Sequence, residues 1–370
     1  MHEEKFASIL ASKSLVEVLN DAALLKEIGV ETVTRDKVLP ETGVEYGDHS
    51  VSMAEGCFHG CKYCFDASRI GRFDRSKTYE DCCKPKLVKD FLPKLDEEIA
   101  AKKDNIKSAL LSFSCDPFPY GATPAHQLFH AVSYEALRKI NAAGITGVVL
   151  TKGVLDIKLA DMAPAGDEGK KNYIGISLVS LDDSEGGYKD TYEPFSAKMH
   201  DRLASLKAIA ATGKCKTWVS LEPMPTPSFF PGATEDSMIA DLKALLDELK
   251  FVNLVVMGRG NGINIENESL FTKYKGHRDY YIRLAEVVKA WGEANHVQVY
   301  IKRKVYAKPA RRTKKAAETT TAEVVGKAAD GTIGNATKAK GGAKPTATTK
   351  AADKGAKPKK AKQPKVHLFE

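Results

Sequence analysis

The sequence lacks any long apolar segment. No stretch approaches the roughly 18–20 apolar residues that a membrane-spanning helix needs. The first residues, Met1 to Lys5, are mostly polar and no apolar run follows them, so the sequence predicts no signal peptide. We therefore expect a cytoplasmic protein without a membrane partner. In that reducing compartment, the seven cysteines favour metal binding or redox chemistry over disulfides.

Basic residues are scarce in most of the chain relative to acidic ones. Residues 1–301 carry 37 Lys and Arg against 43 Asp and Glu, whereas residues 302–370 carry 19 against 5. The net charge of +8 therefore originates in the tail, and the tail alone would attract a polyanion such as nucleic acid. The same composition occurs in solubilising linkers, so nucleic-acid binding and a passive role both stay open.

The tail also lacks the residues that build a core. Between 308 and 365 there is almost no aromatic or large aliphatic side chain, so this segment cannot offset its chain entropy by burying apolar surface. We predict that it is disordered. The chain then divides into an N-terminal helical extension (1–45), a core (46–301) and a disordered basic tail (302–370).

Apolar runs and helical periodicity alternate through the core. The predicted strands are 51–54, 108–114, 146–151, 173–179, 217–221, 252–257 and 297–301. The predicted helices are 5–27, 124–142, 154–162, 197–212, 235–249 and 278–294. Strands that alternate with helices form a parallel sheet with right-handed crossovers. Polar residues recur where successive strands end, which favours an α/β fold of the partial (β/α)6 TIM-type barrel class, because a barrel gathers functional groups at its carboxyl edge.

The densest group of cysteines lies at the start of the core. Cys57, Cys61 and Cys64 have C-x3-C-x2-C spacing, and three soft thiolates on a tight loop suit an iron–sulfur cluster or zinc. In a four-iron cluster, three cysteines leave one iron open for a substrate or cofactor. The alternative is a zinc site in which His59 completes a Cys3His set, although no second C-x2-C pair follows.

The cysteine segment, with Tyr63 directly before its last cysteine, resembles the signature of the radical S-adenosylmethionine (SAM) superfamily. Residues 37–43 (KVLPETG) and 112–118 (SFSCDPF) also resemble the spore photoproduct lyase-like branch, and the likeness covers roughly residues 35–260. The resemblance implies a barrel of the radical SAM kind in which the open iron of a [4Fe-4S] cluster binds the methionine amino and carboxylate groups of SAM. It also implies an electron donor of the flavodoxin or ferredoxin type and cleavage of SAM to a 5′-deoxyadenosyl radical that takes a substrate hydrogen.

The branch and the basic tail together point to a nucleic-acid base as the substrate, in repair or modification. Modification of a protein or a small molecule stays open as a second activity. A zinc-stabilised nucleic-acid-binding protein without catalysis is the alternative outside enzymes.

The resemblance also suggests which strand-end residues meet the cofactor. The predicted SAM-binding residues are Tyr63, Ser114, Asp116, Lys152, Ser177 and Glu222. Cys115 is the predicted hydrogen-atom donor, since lyase relatives carry a thiol near this strand end. Simpler roles stay open: a turn for Asp116, backbone hydrogen bonding for Ser177 and an ordinary buried thiol for Cys115. Lys152 could hold an anionic group of SAM or substrate, or could only pair with Glu222, since a buried carboxylate needs a partner.

Overall fold

The computed structural model describes residues 1–66, 78–112, 114–260, 274–306, 366, 368 and 369. One compact unit consists of Met1–Ala307 together with Lys365–Glu370. The second unit, Lys308–Pro364, lies outside the described residues, as does the disorder predicted for 308–365. In the described part of the chain, no helix is both long enough and apolar enough to cross a membrane.

A seven-stranded parallel sheet forms the centre of the protein. In chain order the strands are β1 (Glu31–Val33), β2 (His49–Val51), β3 (Ala54–Glu55), β4 (Lys86–Val88), β5 (Ser108–Leu111), β6 (Thr146–Thr151), β7 (Tyr173–Ser177), β8 (Lys216–Met224), β9 (Leu254–Arg259) and β10 (Gln298–Ile301). The large sheet has the order β10-β9-β8-β7-β6-β5-β2, and β1, β4 and β3 form a smaller sheet. Because the large sheet follows the chain without a reversal, the fold is a partial TIM-like α/β barrel, as predicted.

Helices connect the strands of this barrel. They are α1 (Glu3–Ser12), α2 (Leu15–Asn20), α3 (Ala22–Glu27), α4 (Tyr79–Cys83), α5 (Phe91–Lys102), α6 (Pro124–Ala142), α7 (Tyr188–Tyr192), α8 (Met199–Ala211), α9 (Glu235–Asp247) and α10 (His277–Asn295). Short 3-10 helices span Lys103–Asn105, Ile157–Asp161, Pro227–Phe229 and Arg303–Val305. The segment predicted as a helix over 154–162 is therefore a single 3-10 helix.

The large sheet has two apolar faces, because successive side chains of a strand point to opposite sides. Ala109 and Leu111 of β5 belong to the core shared with the helices, whereas Leu110 belongs to a second core on the other face. Within the described residues, this second core contains strand and loop side chains, such as Trp218 and Tyr46, and no helical one. It is the concave inner face of the partial barrel.

The helix predicted over 5–27 is divided into α1, α2 and α3. Ser14 accepts a hydrogen bond from the backbone N–H of Glu17, and Asp21 accepts one from that of Leu24. Each side chain caps a new helix by satisfying an N–H group that has no partner within the helix. Apolar periodicity alone therefore missed two breaks that the capping residues encode.

Two stretches that the sequence assigned to the tail belong to the folded unit. The 3-10 helix Arg303–Val305 follows β10, and Val305 is fully buried. At the other end of the tail, Leu368 and Phe369 are buried in the second core. The sequence did not reveal these buried residues, because single apolar residues in a charged context carry no periodic signal.

Candidate active site

The carboxyl ends of the strands bring the predicted site residues to one edge of the barrel. Ser177 of β7 is in register with Ser220 of β8, and Leu221 of β8 with Met257 of β9. The cysteine segment, which follows β3, is joined to this edge by Ser114, whose hydroxyl donates a 2.6 Å hydrogen bond to the carbonyl of Ala54. The strand-end residues therefore lie at the same edge of the sheet, and a functional site at this edge stays a prediction.

Backbone hydrogen bonds hold the cysteine loop, residues 57–64, in place. The N–H of Cys57 donates to the carbonyl of Cys83 at 2.8 Å, and the N–H of Lys62 donates to the carbonyl of Tyr192 at 3.0 Å. Gly60 has a φ of +57°, which L side chains rarely adopt, and a Cβ there would lie 3.1 Å from the ring of Phe195. These contacts define the path of the loop.

His59 fixes the middle of this loop through both ring nitrogens. Its Nδ1 lies 3.3 Å from Oδ2 of Asp116, and its Nε2 accepts the N–H of Tyr120 at 2.9 Å. Both nitrogens of His59 are thus engaged, and the side chain is not available as the fourth ligand of a Cys3His zinc site. This arrangement disfavours the zinc alternative.

Asp116 is a carboxylate, with a side chain only 9% exposed, that joins three segments. Besides His59, it accepts the hydroxyl of Thr151 at 2.6 Å and the backbone N–H groups of Lys152 at 2.7 Å and Phe118 at 2.9 Å. Burial would raise the pKa of Asp116, but His59 and these hydrogen bonds outweigh it and lower the pKa to about 2. The carboxylate predicted to bind SAM therefore holds the cysteine loop against the ends of β5 and β6.

A second group of charged side chains, Glu193 and Arg202, is buried in contact with Tyr63. The hydroxyl of Tyr63 donates to Oε1 of Glu193, whose Oε2 lies 2.6 Å from Nη2 of Arg202. The side chains of Glu193 and Arg202 are 1% and 0% exposed. Arg202 also donates to the carbonyl of Ser177 at 3.0 Å, which connects the cysteine loop to the end of β7.

The sequence analysis missed both members of this ion pair. Arg202 lies on the apolar side of α8, among the buried residues Met199, Leu203, Leu206 and Ile209. An arginine within an apolar helical stripe is a signal of a buried ion pair, because an isolated charge there would be too costly. Glu193, which follows the short helix α7, carries no comparable signal.

Lys152 does not pair with Glu222, so that alternative was wrong. Its ammonium group lies 5.7 Å from the ring centroid of Tyr63, and within the described residues it makes no hydrogen bond. Burial would lower the pKa of Lys152, but Glu193 and Cys61 outweigh it and raise the pKa. Lys152 is therefore a cation beside the cysteine loop.

Glu222 pairs instead with Lys302, at 2.7 Å. The hydroxyl of Tyr46 donates to the other carboxylate oxygen at 3.4 Å. Gly258 makes room for this group, since a Cβ there would lie 2.1 Å from Oε1 of Glu222. Lys302 directly follows β10, so it fits the strand-end pattern, but the predicted domain boundary had placed it in the tail.

The remaining predicted residues are buried. The hydroxyl of Ser177 donates to the carbonyl of Glu222 at 3.0 Å, so the backbone-bonding role applies to it. The thiol of Cys115 shares a 2.8 Å hydrogen bond with Ser112. Burial raises the pKa of Cys115 to about 12, although that hydrogen bond acts in the opposite direction, so this thiol keeps its proton at neutral pH.

The three cysteines of the loop are close enough to influence one another electrostatically. Burial raises the pKa of Cys57, and repulsion from Asp116 and from Cys61 and Cys64 in their ionised forms raises it further. Three thiols with one backbone loop suit an iron–sulfur cluster chemically. In the described part of the chain, however, no three Cys, His, Asp or Glu side chains are arranged to hold a metal ion. The cluster therefore stays a prediction from the residue types and their spacing.

No family model matches this chain, and no curated protein matches it. Among solved structures, the crystal structure of Streptococcus suis SuiB is similar to it, with a sequence identity of 12% and a TM-score of 0.42. The similarity covers 76% of this chain, which spans about half (51%) of the length of SuiB. A likeness at this level carries no conclusion about family or activity, so the account of this site depends on the chain's own residues.

Proposed function

We propose that this protein is a radical SAM enzyme whose cluster is held by Cys57, Cys61 and Cys64. The observation that carries the proposal is the position of these cysteines on a braced loop at the carboxyl edge of a partial barrel. Loops at this edge carry the active sites of TIM-type barrels. The engaged nitrogens of His59 favour three-thiol ligation over a zinc site completed by this histidine.

When bound, the cluster would supply an open iron for the amino and carboxylate groups of SAM and the electron that cleaves it to a radical. The chain's own residues position and shield that chemistry. Asp116 and Glu193 hold the cysteine loop in place. Their carboxylate oxygens already accept hydrogen bonds or pair with Arg202. Lys152, whose ammonium has no hydrogen bond within the described residues, is our candidate for an anionic group of SAM or substrate.

The proposed substrate is a nucleic-acid base. It is supported by the net charge of +14 over residues 302–370 and by the resemblance of residues 37–43 and 112–118 to the spore photoproduct lyase-like branch. Cys115, which keeps its proton, is the proposed hydrogen-atom donor, and a flavodoxin- or ferredoxin-type protein is the proposed reductant. A protein or small-molecule substrate is the outcome to infer if the protein neither binds nucleic acid nor modifies its bases.

The reaction is tested by incubating anaerobically reconstituted protein with SAM and dithionite. We expect slow release of 5′-deoxyadenosine and methionine even without substrate. The variant in which Cys57, Cys61 and Cys64 are all replaced by Ala should release none. Cys215→Ala is the matched control, because this buried cysteine lies just before β8, at the opposite edge of the sheet. Equal release by the triple variant and the parent would contradict the proposal.

A further inference from the structure

Leu368 and Phe369 lie on the inner face of the barrel. Phe369 is 1% exposed, and its ring makes edge contacts with Tyr173 at 4.9 Å, Trp218 at 5.3 Å and Tyr46 at 5.9 Å between centroids. Leu368 is buried in the same core. A well-packed aromatic ring contributes both apolar burial and specific ring contacts, so this segment occupies a formed site.

The backbone of the same segment is also recognised. The N–H of Val366 donates a 3.0 Å hydrogen bond to the carbonyl of Glu45. Glu45 additionally accepts the N–H of Arg303 at 3.2 Å, so the chain end and the segment after β10 meet at one loop. An apolar groove with a backbone acceptor at its rim is how many proteins bind a short peptide.

The contacts of Phe369 extend to the predicted active site. Tyr46, which packs against Phe369, donates its hydroxyl to Glu222, and the ammonium of Lys302 lies 5.2 Å from the Tyr46 ring centroid. Loss of the Phe369 ring would leave one side of Tyr46 without packing atoms. Phe369 therefore packs against Tyr46, the residue that contacts both Glu222 and Lys302.

We propose that the inner face of the barrel is a peptide-binding site whose ligand is the chain's own segment that contains Val366, Leu368 and Phe369. Ala307 and Lys365 both belong to the folded unit, so the basic residues 308–364 are joined to it at both ends. This proposal does not depend on the identity of the cofactor or the reaction.

The test uses Trp218 as the reporter, in a Trp291→Phe background that leaves it the only tryptophan. Residues 365–370 are deleted and then supplied as a synthetic peptide, Lys-Val-His-Leu-Phe-Glu. We expect the deletion to lower the melting temperature and shift the emission of Trp218. The peptide should restore both in a saturable way, and a peptide carrying Phe369→Ala should bind at least tenfold more weakly.

Two results would overturn this proposal. One is a truncated protein whose melting temperature and Trp218 emission equal those of the full chain. The other is a folded truncated protein that does not bind the peptide. If truncation prevents folding, Phe369→Ala in the full chain decides: increased quenching of Trp218 by acrylamide supports the site, and unchanged quenching contradicts it.

Discussion

At the scale of single residues, the three carboxylates at the strand ends and beside the cysteine loop each have a partner, whereas the ammonium of Lys152 has none within the described residues. Asp116 is engaged by His59, Glu193 by Arg202 and Glu222 by Lys302. Burying an ion is tolerable only when a partner and hydrogen bonds compensate for lost hydration, so each pair stabilises a specific arrangement of loops. These groups therefore act mainly by positioning the site.

The Glu193–Arg202 pair gives the clearest stability prediction. Arg202→Met would leave a buried carboxylate without its partner and should lower the free energy of unfolding by about 3–5 kcal/mol. The double variant with Glu193→Gln should lose less than the sum of the two single variants, because it leaves no unpaired charge. Urea unfolding followed by circular dichroism measures all three values.

The exposed pair between Arg138 and Glu135 is the matched control. The Arg138 side chain is 61% exposed, so Arg138→Met should change the free energy of unfolding by less than about 1 kcal/mol. Losses at Arg202 and Glu193 that simply add, or that do not exceed the control, would show that the buried pair does not brace the loop.

At the scale of elements, long periodic segments could be predicted and short ones could not. Helix α6 and strand β6 have the predicted bounds, since each carries a sustained apolar pattern. Strands β1 and β4 have three residues each and were missed. Such strands exist because they pair with each other, and pairing over a long sequence separation leaves no local pattern.

In the candidate site, too, the features with a local sequence pattern could be predicted and the long-range contacts could not. Asp116, Lys152 and Glu222 could be assigned to one edge from the sequence. Each follows or ends a predicted strand, and parallel strands all end at the same edge of the sheet. The sequence did not reveal the partner of each charge. Lys302 lies 80 residues from Glu222 in the sequence and Glu193 lies 130 from Tyr63, so these contacts depend on how the loops pack.

At the scale of the whole molecule, charge is divided between an acidic body and a basic tail. If the substrate or its carrier is nucleic acid, the tail should supply most of the nonspecific affinity. Replacing the Lys and Arg residues of 308–362 by Gln should then abolish binding to generic duplex DNA. In the parent, binding should fall steeply between about 50 and 200 mM salt, since neutralised phosphates release counterions. Fluorescence anisotropy measures both effects.

This variant keeps residues 365–370, because deleting them would also remove the buried chain end. A sequence shuffled within 308–362 is the control, and it should bind DNA like the parent because its charge is unchanged. Undiminished binding by the Gln variant would place recognition in the barrel. The absence of DNA and RNA binding in every variant would favour a protein or small-molecule substrate.

The most direct test of the central claim is the iron and sulfide content of the protein after anaerobic reconstitution. We predict about four irons and four sulfides per chain, a brown colour, loss of both when Cys57, Cys61 and Cys64 are replaced by Ala, and retention of both in Cys215→Ala. A colourless protein with one bound zinc, or iron that the triple substitution does not remove, would contradict this account.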